Sequence, residues 1–599
     1  MIISELCNYY DVLAGDEKSN ISPYGFESVK ANLLATLTEE GELYDIVTLG
    51  ENNGGSPVRF VVPKTMKVSG IAASPVLDNT AYIFGVSVSK GTKNIEEKKF
   101  LTAKELHIRL FGEAQCVQAR AIVAFFEKWD LQKAWENENL LKLYTDNGKL
   151  LSGNVAFKLK GETQYFHEVP EICDIWLAEN ARKLDSKGSR KRQCSVTGEM
   201  QEIAQLHNQL TGVKGANATG ASLISFKQDA HRSYNIEKSY GAAVSQRVMF
   251  EYTTALQYLL NSKNQKLYFG EDTVVFWAHT RSRRVEELLG MLFMCKEESK
   301  GSDNTESIEN KQMQQMVYTL LEEGKKGIPV VQSNDELREL DAQATFCCLG
   351  LAPNAARISV RYFYKDNVGD FVEKIKQHQD DIKICGGRKL ISNNSLLYAT
   401  LSEKSKDKKV NPLLGGAIMR AVLSGEMYPQ MMLQQMIMRV KAEQSVTQPR
   451  AASIKGYLVR KARINNKEEE ITVALNKEST NEAYLLGRVF AILERIQRDA
   501  LGDNVNATIK DKFFSTACAN PVRVFPNLIK LCQHHITKAK GNNKFGNMYY
   551  MERALQECMG NLPVDSFPAS QNMEAQGRFI LGYYQQVQSI YEPKNKTEQ

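Results

Sequence analysis

The sequence predicts an α+β protein: a mixed N-terminal α/β region with irregular sheets, followed by a C-terminal helical bundle. Three observations predict it. Short apolar runs separated by turn signals recur through the first 150 residues, similar runs return up to Tyr364, and the last 120 residues switch to helical spacing. In order, Val58–Pro63 (VRFVVP) and Tyr82–Val88 (YIFGVSV) read as strands, bounded by Gly54–Pro57 and by Lys90–Gly91. Phe100–Phe111 and Ala119–Trp129 carry the i, i+3, i+4 spacing of amphipathic helices. Asn154–Leu159 (NVAFKL) and Thr273–Ala278 (TVVFWA) are further strands, and Ala344–Tyr364 is strand-rich. Lys296–Lys311 holds one isoleucine among polar residues and predicts an exposed linker. Tyr484–Leu501 repeats apolar residues at Leu485, Val489, Ile492, Leu493 and Ile496, which leaves Arg488, Arg495 and Arg498 for its polar side. Pro526–Thr537 and Met548–Met559 read as helices too. The expected division is residues 1–150, a central strand-rich part 151–410, and a helical part 411–599.

Composition is ordinarily globular, with 43% apolar and 24% charged residues in a chain of 599. No run approaches 18 consecutive apolar residues, and the N-terminus lacks the basic start of a signal peptide. The eleven cysteines show no CxxC and no repeated spacing, the usage of free thiols in a reducing compartment. A cytoplasmic protein with no membrane partner is therefore expected. Net charge is +6, which permits nucleic-acid binding without arguing for it. The charge is concentrated in Ala181–Arg192 (ARKLDSKGSRKR) and Glu403–Lys409 (EKSKDKK), either solvated loops or sources of phosphate contacts.

Motifs for catalysis are missing from the sequence. There is no GxxxxGK[ST], no HExxH, no GxSxG, and no cluster of acids of the kind two metals need. His534 and His535 are neighbours on a helix and point about 100° apart, a poor arrangement for one metal. No metal, no cofactor and no catalytic residue is expected.

Three stretches suit nucleic acid. Thr211–Phe226 (TGVKGANATGASLISF) contains Gly212, Gly215 and Gly220 and almost no side-chain bulk. Its backbone can approach a ligand closely, with Lys214 within it and Lys227 after it; a flexible surface loop is the plain alternative. Val68–Tyr82 offers Ser69, Gly70, Ser74, Asn79 and Thr80 to a groove, or simply connects two strands. Arg357–Phe363 (RISVRYF) places Arg357, Ser359 and Arg361 on one face of a strand by its period of two, a face suited to a phosphate backbone or to water.

At these stretches the sequence resembles the large subunit of the type I-C CRISPR surveillance complex, Cascade. The resemblance runs nearly end to end through NYYDVLA, SPYGFE, VSGIAASPVLDNTAYIFGVS, CSVTGE and IAQLHNQLTGVKGANATGASLISF. It continues through AAVSQ, TTALQYLL, TVVFWA, LGLAPNAARISVRYF, AYLLGRVFAILERIQ and FPASQNMEAQGRFILGYYQQ. It implies a non-catalytic subunit of an RNA-guided antiviral complex. Such a subunit sits by the crRNA handle, reads the protospacer-adjacent motif (PAM) in double-stranded DNA, and helps open the duplex into an R-loop. Its implied partners are crRNA, target DNA, the displaced single strand, the backbone and crRNA-processing subunits, and the helicase–nuclease. A small subunit made from the chain's own C-terminal region is a further one. Many relatives read SGIAPNF where this chain has SGIAASP, so Ser74 and Pro75 replace an Asn–Phe pair.

On this reading the adjacent-motif contacts are Lys214, Gly215, Asn217, Thr219, Ser222, Ser69, Gly70, Ser74 and Asn79. The phosphate contacts are Lys187, Arg190, Lys191, Arg192, Lys227, Arg357 and Arg361, and Arg488, Arg495 and Arg498 form a single-strand track. The rival reading is a nuclease or RNA-processing enzyme using His167, His207 or His231 beside the basic loop. In a third, the C-terminal bundle binds single strands alone; no methionine lies between Met438 and Met548, so an internal start near Leu485 needs a non-AUG codon.

Overall fold

Among the described residues, strand-length apolar runs broken by turns build five separate small sheets. In chain order the strands are β1 (Phe26–Ala31), β2 (Leu33–Leu37), β3 (Leu43–Thr48), β4 (Val58–Pro63), β5 (Asp78–Asn79), β6 (Val86–Ser89) and β7 (Thr92–Ile95). Then come β8 (Asn154–Leu159), β9 (Lys191–Gln193), β10 (Met200–Glu202), β11 (Lys266–Phe269), β12 (Asp272–Ala278), β13 (Thr345–Asn354) and β14 (Arg357–Asn367). The computed structural model describes residues 1–16, 19, 21–49, 58–63, 71–89, 91–144, 153–185, 191–226, 229–231, 235–280, 283–294, 342–387, 390–407, 409–467, 471–502, 507–541, 545–563 and 566–591. The expected linker at 296–311 lies outside the described residues.

The chain divides into two units: Ile3–Asn208 with Ser225–Ala255, and Gln209–Ile224 with Leu256–Gln599. In the first unit, β2 and β8 run parallel, Leu33 opposite Val155 and Leu37 opposite Leu159, within the order β3–β2–β8–β5. A parallel pair needs a long crossover, and that connection contains the helices Glu97–Phe111 and Val117–Lys128. Their apolar faces supply Phe100, Phe125 and Phe126 to a core shared with Phe157, Phe166 and Trp176. β1–β4, β6–β7 and β9–β10 are two-stranded ribbons. Tyr82–Val88 is not one strand: Asn79 Oδ1 accepts from the Ala81 N–H at 3.0 Å and starts a helical turn, Thr80–Ile83, before β6.

The second unit is built on the antiparallel sheet β11–β12–β13–β14. Phe276, Phe346, Phe293 and Phe371 join its face to the helices Arg283–Met294 and Val368–Ile382, with Phe346 and Phe371 stacked at 4.0 Å. From Pro412 onward everything described is helical or irregular. Glu482–Leu501 is the hub of the bundle, packed against Phe525–Gly541, Phe545–Gly560 and Met573–Tyr591. A buried ion cluster joins this part to the sheet's helices: Asp381 accepts from Arg460 Nε at 2.8 Å and from Arg463 through both oxygens.

Candidate nucleic-acid interface

One end of the second unit's sheet carries the glycine-rich segment. Its base is closed by an antiparallel bridge, in which Leu210 and Ala221 exchange both backbone hydrogen bonds at 2.9 Å. Inside the loop, the Ala216 N–H donates to Val213 O and the Gly220 N–H to Asn217 O, forming two consecutive turns. Gly215 and Gly220 have φ of +77° and +105°, values that favour glycine. Val213 is buried and anchors the loop, while Lys214, Gly215, Asn217, Ala218 and Thr219 are exposed.

Three strands fix the loop's position. The Lys214 N–H donates to Thr273 Oγ1 of β12 at 2.9 Å, and Gly215 lies against Pro353 of β13. Ser222 forms a parallel bridge with Arg357 of β14, its N–H donating to Ala356 O and its carbonyl accepting from Ile358. Gln257 closes the other side, accepting from the Thr211 N–H and donating to Thr211 O. The segment is thus a loop held by hydrogen bonds, with its slender, polar tip turned outward. The structure brings Lys214, Gly215, Asn217, Thr219 and Ser222 together with Arg357 of the neighbouring strand, although 135 residues separate Ser222 from Arg357 in sequence.

Sequence reasoning missed the acidic turn between β11 and β12. Lys214 Nζ donates to Gly270 O at 3.0 Å and lies 3.5 Å from Glu271 Oε1. Arg361 Nε lies 3.7 Å from Asp272 Oδ1, whose side chain is 1% exposed. Among the described residues neither Asp272 oxygen has a hydrogen-bond partner, and burial pushes this carboxyl up to about 6 against the opposing pull of Arg361. Arg361 falls at a register shift, where β13 passes from Gly350 opposite Tyr362 to Leu351 opposite Val360. The string GEDT between two apolar runs marked a turn, but which cations it would face is a tertiary property.

The remaining candidates are placed differently. In the first unit, Lys191 and Arg192 are exposed on β9, with Arg192 donating to Tyr240 O. Ser69, Gly70, Lys187, Arg190 and Lys227 lie outside the described residues. Ser74 is corrected: it is buried at 7% exposure in a tight turn where its N–H donates to Asp78 Oδ2 at 2.7 Å, so it offers no surface to a duplex. Asn79 is half-buried and its side-chain oxygen is occupied as the helix cap. Arg488 is also corrected. It is 1% exposed, and its guanidinium donates to Gln586, to the carbonyls of Asn476 and Lys477, and to Glu557. Glu482–Leu501 is enclosed on more sides than one apolar stripe requires, which turns Arg488 inward. Arg495 and Arg498 remain on the outer side, paired with Asp499 and Glu494 on the same helix.

Of the three histidines of the rival reading, His167 and His207 are buried in the first unit, while His231 is half-buried. His167 is 4% exposed and His207 7% exposed, and desolvation pulls both down to about 4. His207 Nδ1 bonds the Tyr252 hydroxyl at 2.6 Å.

The family model described as CRISPR-associated protein (Cas_Csd1) matches residues 6–591. No curated protein matches the chain.

Proposed function

The chain belongs to the Cas_Csd1 family of CRISPR-associated proteins, and from that premise we propose that it is the non-catalytic large subunit of a type I-C Cascade. In this role it reads the adjacent motif in double-stranded target DNA, assists R-loop formation, and helps recruit the helicase–nuclease. Guide RNA pairing reads the long sequence in such complexes, so the protein needs only a few contacts beside it. The observation that carries the reading is the pinned glycine-rich loop at the sheet's end, which presents Lys214, Gly215, Asn217 and Thr219 beside Arg357. A slim tip with short polar groups enters a groove that bulky side chains do not, and a minor groove asks for little more than shape and a few hydrogen bonds. Arg357 and Arg361, with Lys191 and Arg192, supply phosphate contacts that set register without reading sequence.

The test is the triple change Lys214→Ala, Asn217→Ala and Ser222→Ala in the assembled complex. Target-duplex affinity is expected to fall by about tenfold or more, with a shallower salt dependence and normal assembly. Binding that matches the parent in affinity and salt slope rejects the loop as the duplex contact.

A further inference from the structure

The two cations that the sheet's end offers to phosphate each face a carboxylate at the β11–β12 hairpin, Glu271 in its turn and Asp272 at the start of β12. Glu271 stands 3.5 Å from Lys214 Nζ, and Asp272 stands 3.7 Å from Arg361 Nε. Both separations are longer than an ordinary N–H···O hydrogen bond, and Lys214 Nζ donates instead to Gly270 O at 3.0 Å. Lys214 is 45% and Arg361 32% exposed, which leaves the cations reachable by a ligand. The Lys214–Glu271 pair, exposed on both sides, is weak and exchanges readily for a better anion. Among the described residues neither oxygen of Asp272 accepts a hydrogen bond, although the side chain is buried. A buried carboxylate without hydrogen bonds is costly to keep, and burial already drives it toward its neutral form.

We propose that Glu271 and Asp272 are specificity-determining counter-charges, which occupy Lys214 and Arg361 in the absence of target and yield them to the duplex phosphates when the motif engages. This inference rests on the reading of the sheet's end as the duplex contact. Its physical content is a charge balance. Lys214, Arg357 and Arg361 carry three positive charges, and Glu271 and Asp272 cancel two of them. A net charge near +1 attracts an arbitrary polyanion weakly. A duplex whose groove also meets Asn217 and Thr219, and whose strand is paired to the guide, gains enough in addition to displace the carboxylates. Discrimination then comes from suppressing the non-specific term rather than from tightening the specific one.

The experiment uses the assembled complex carrying Glu271→Gln with Asp272→Asn, titrated with a duplex of unrelated sequence and with the target duplex at several salt concentrations. Non-specific affinity is expected to rise by about tenfold at low salt, with a log–log salt slope steeper by about one to two. Target affinity rises less, so the ratio between them falls. Glu271→Gln alone, at an exposed position, secures the Lys214 half of the test against any folding defect. Unchanged non-specific affinity and salt slope in both variants overturn the inference. Lys214→Ala and Arg361→Ala then separate the levels: if they weaken target binding, the interface stands without its counter-charges. If they leave it unchanged, the interface reading falls with them.

Discussion

Asp272 shows how one carboxylate can be read for stability as well as for function. Its pKa is raised to about 6 from 3.8 because burial disfavours the ion. A raised carboxylate contributes stability that is fully present below 3.8 and is lost as pH rises through about 6. At neutral pH the folded protein therefore carries a charge that the unfolded chain holds more cheaply. Asp272→Asn keeps the shape and removes the charge. The variant is expected to gain about 1–3 kcal/mol at pH 8, allowing for the partial compensation by Arg361. The gain shrinks toward zero as pH falls to 4, where the parent's carboxyl is itself neutral. Urea unfolding of parent and variant across this range reads the difference directly. A variant less stable than the parent at pH 8, or a gap that does not change with pH, refutes the argument.

Among the elements, Glu482–Leu501 and Met573–Tyr591 cross in close contact. A Cβ on Gly487 would lie 2.0 Å from Phe579 O, and one on Gly582 would lie 2.1 Å from Tyr484 O. The two backbones touch there, and neither can yield as a flexible side chain would. Alanine at either position is expected to destabilise the protein by about 2–3 kcal/mol or more, because the helices must separate. Gly560→Ala, where a Cβ would meet nothing within 4 Å, serves as the control and should be near neutral. Equal chemical denaturation midpoints for Gly487→Ala and Gly560→Ala reject this account of the crossing. This crossing also marks how far sequence reading reaches. The helix over Tyr484–Leu501 was legible because its apolar residues recur at helical spacing. That Gly487 and Arg488 face inward was not, since periodicity reports one buried face and this helix has neighbours on several. Asn79 was legible as a polar turn residue, yet its capping of Thr80–Ile83 replaced an expected strand. The glycine-rich loop stood out by composition, while its anchorage to Thr273, Pro353 and Arg357 depends on pairings across the chain. Glu271 and Asp272 were hidden for the same reason.

Across the whole molecule, the buried histidines set the response to acid and make it unequal between the two units. His107 in the first unit is fully buried; its Nε2 accepts from the Val76 N–H at 3.1 Å while Nδ1 bonds Ala103 O at 2.7 Å, an arrangement that requires the neutral ring. Burial lowers it, like His167 and His207, to about 4. The second unit has His378, lowered to about 3 by burial and then by Arg460, with its ring held between Tyr428 and Asn393. A depressed histidine takes up its proton more readily in the unfolded chain, whose ordinary value is 6.5. Its contribution is therefore intact above 6.5 and is lost progressively as pH falls toward the folded value. At pH 5 each such residue subtracts on the order of 2 kcal/mol. Among the described residues three such buried rings act on the first unit; in the second, His378 is buried and the half-buried His535 is lowered as well, while Asp272 works in the opposite direction. The first unit is expected to open at milder acidity. Hydrogen exchange at pH 7.5 and pH 5 measures this, after correction for intrinsic exchange rates. Peptides around His107, His167 and His207 should lose protection at pH 5, while those of Glu482–Leu501 keep theirs. Uniform loss of protection across both units, or none in either, contradicts the assignment of acid sensitivity to these buried rings.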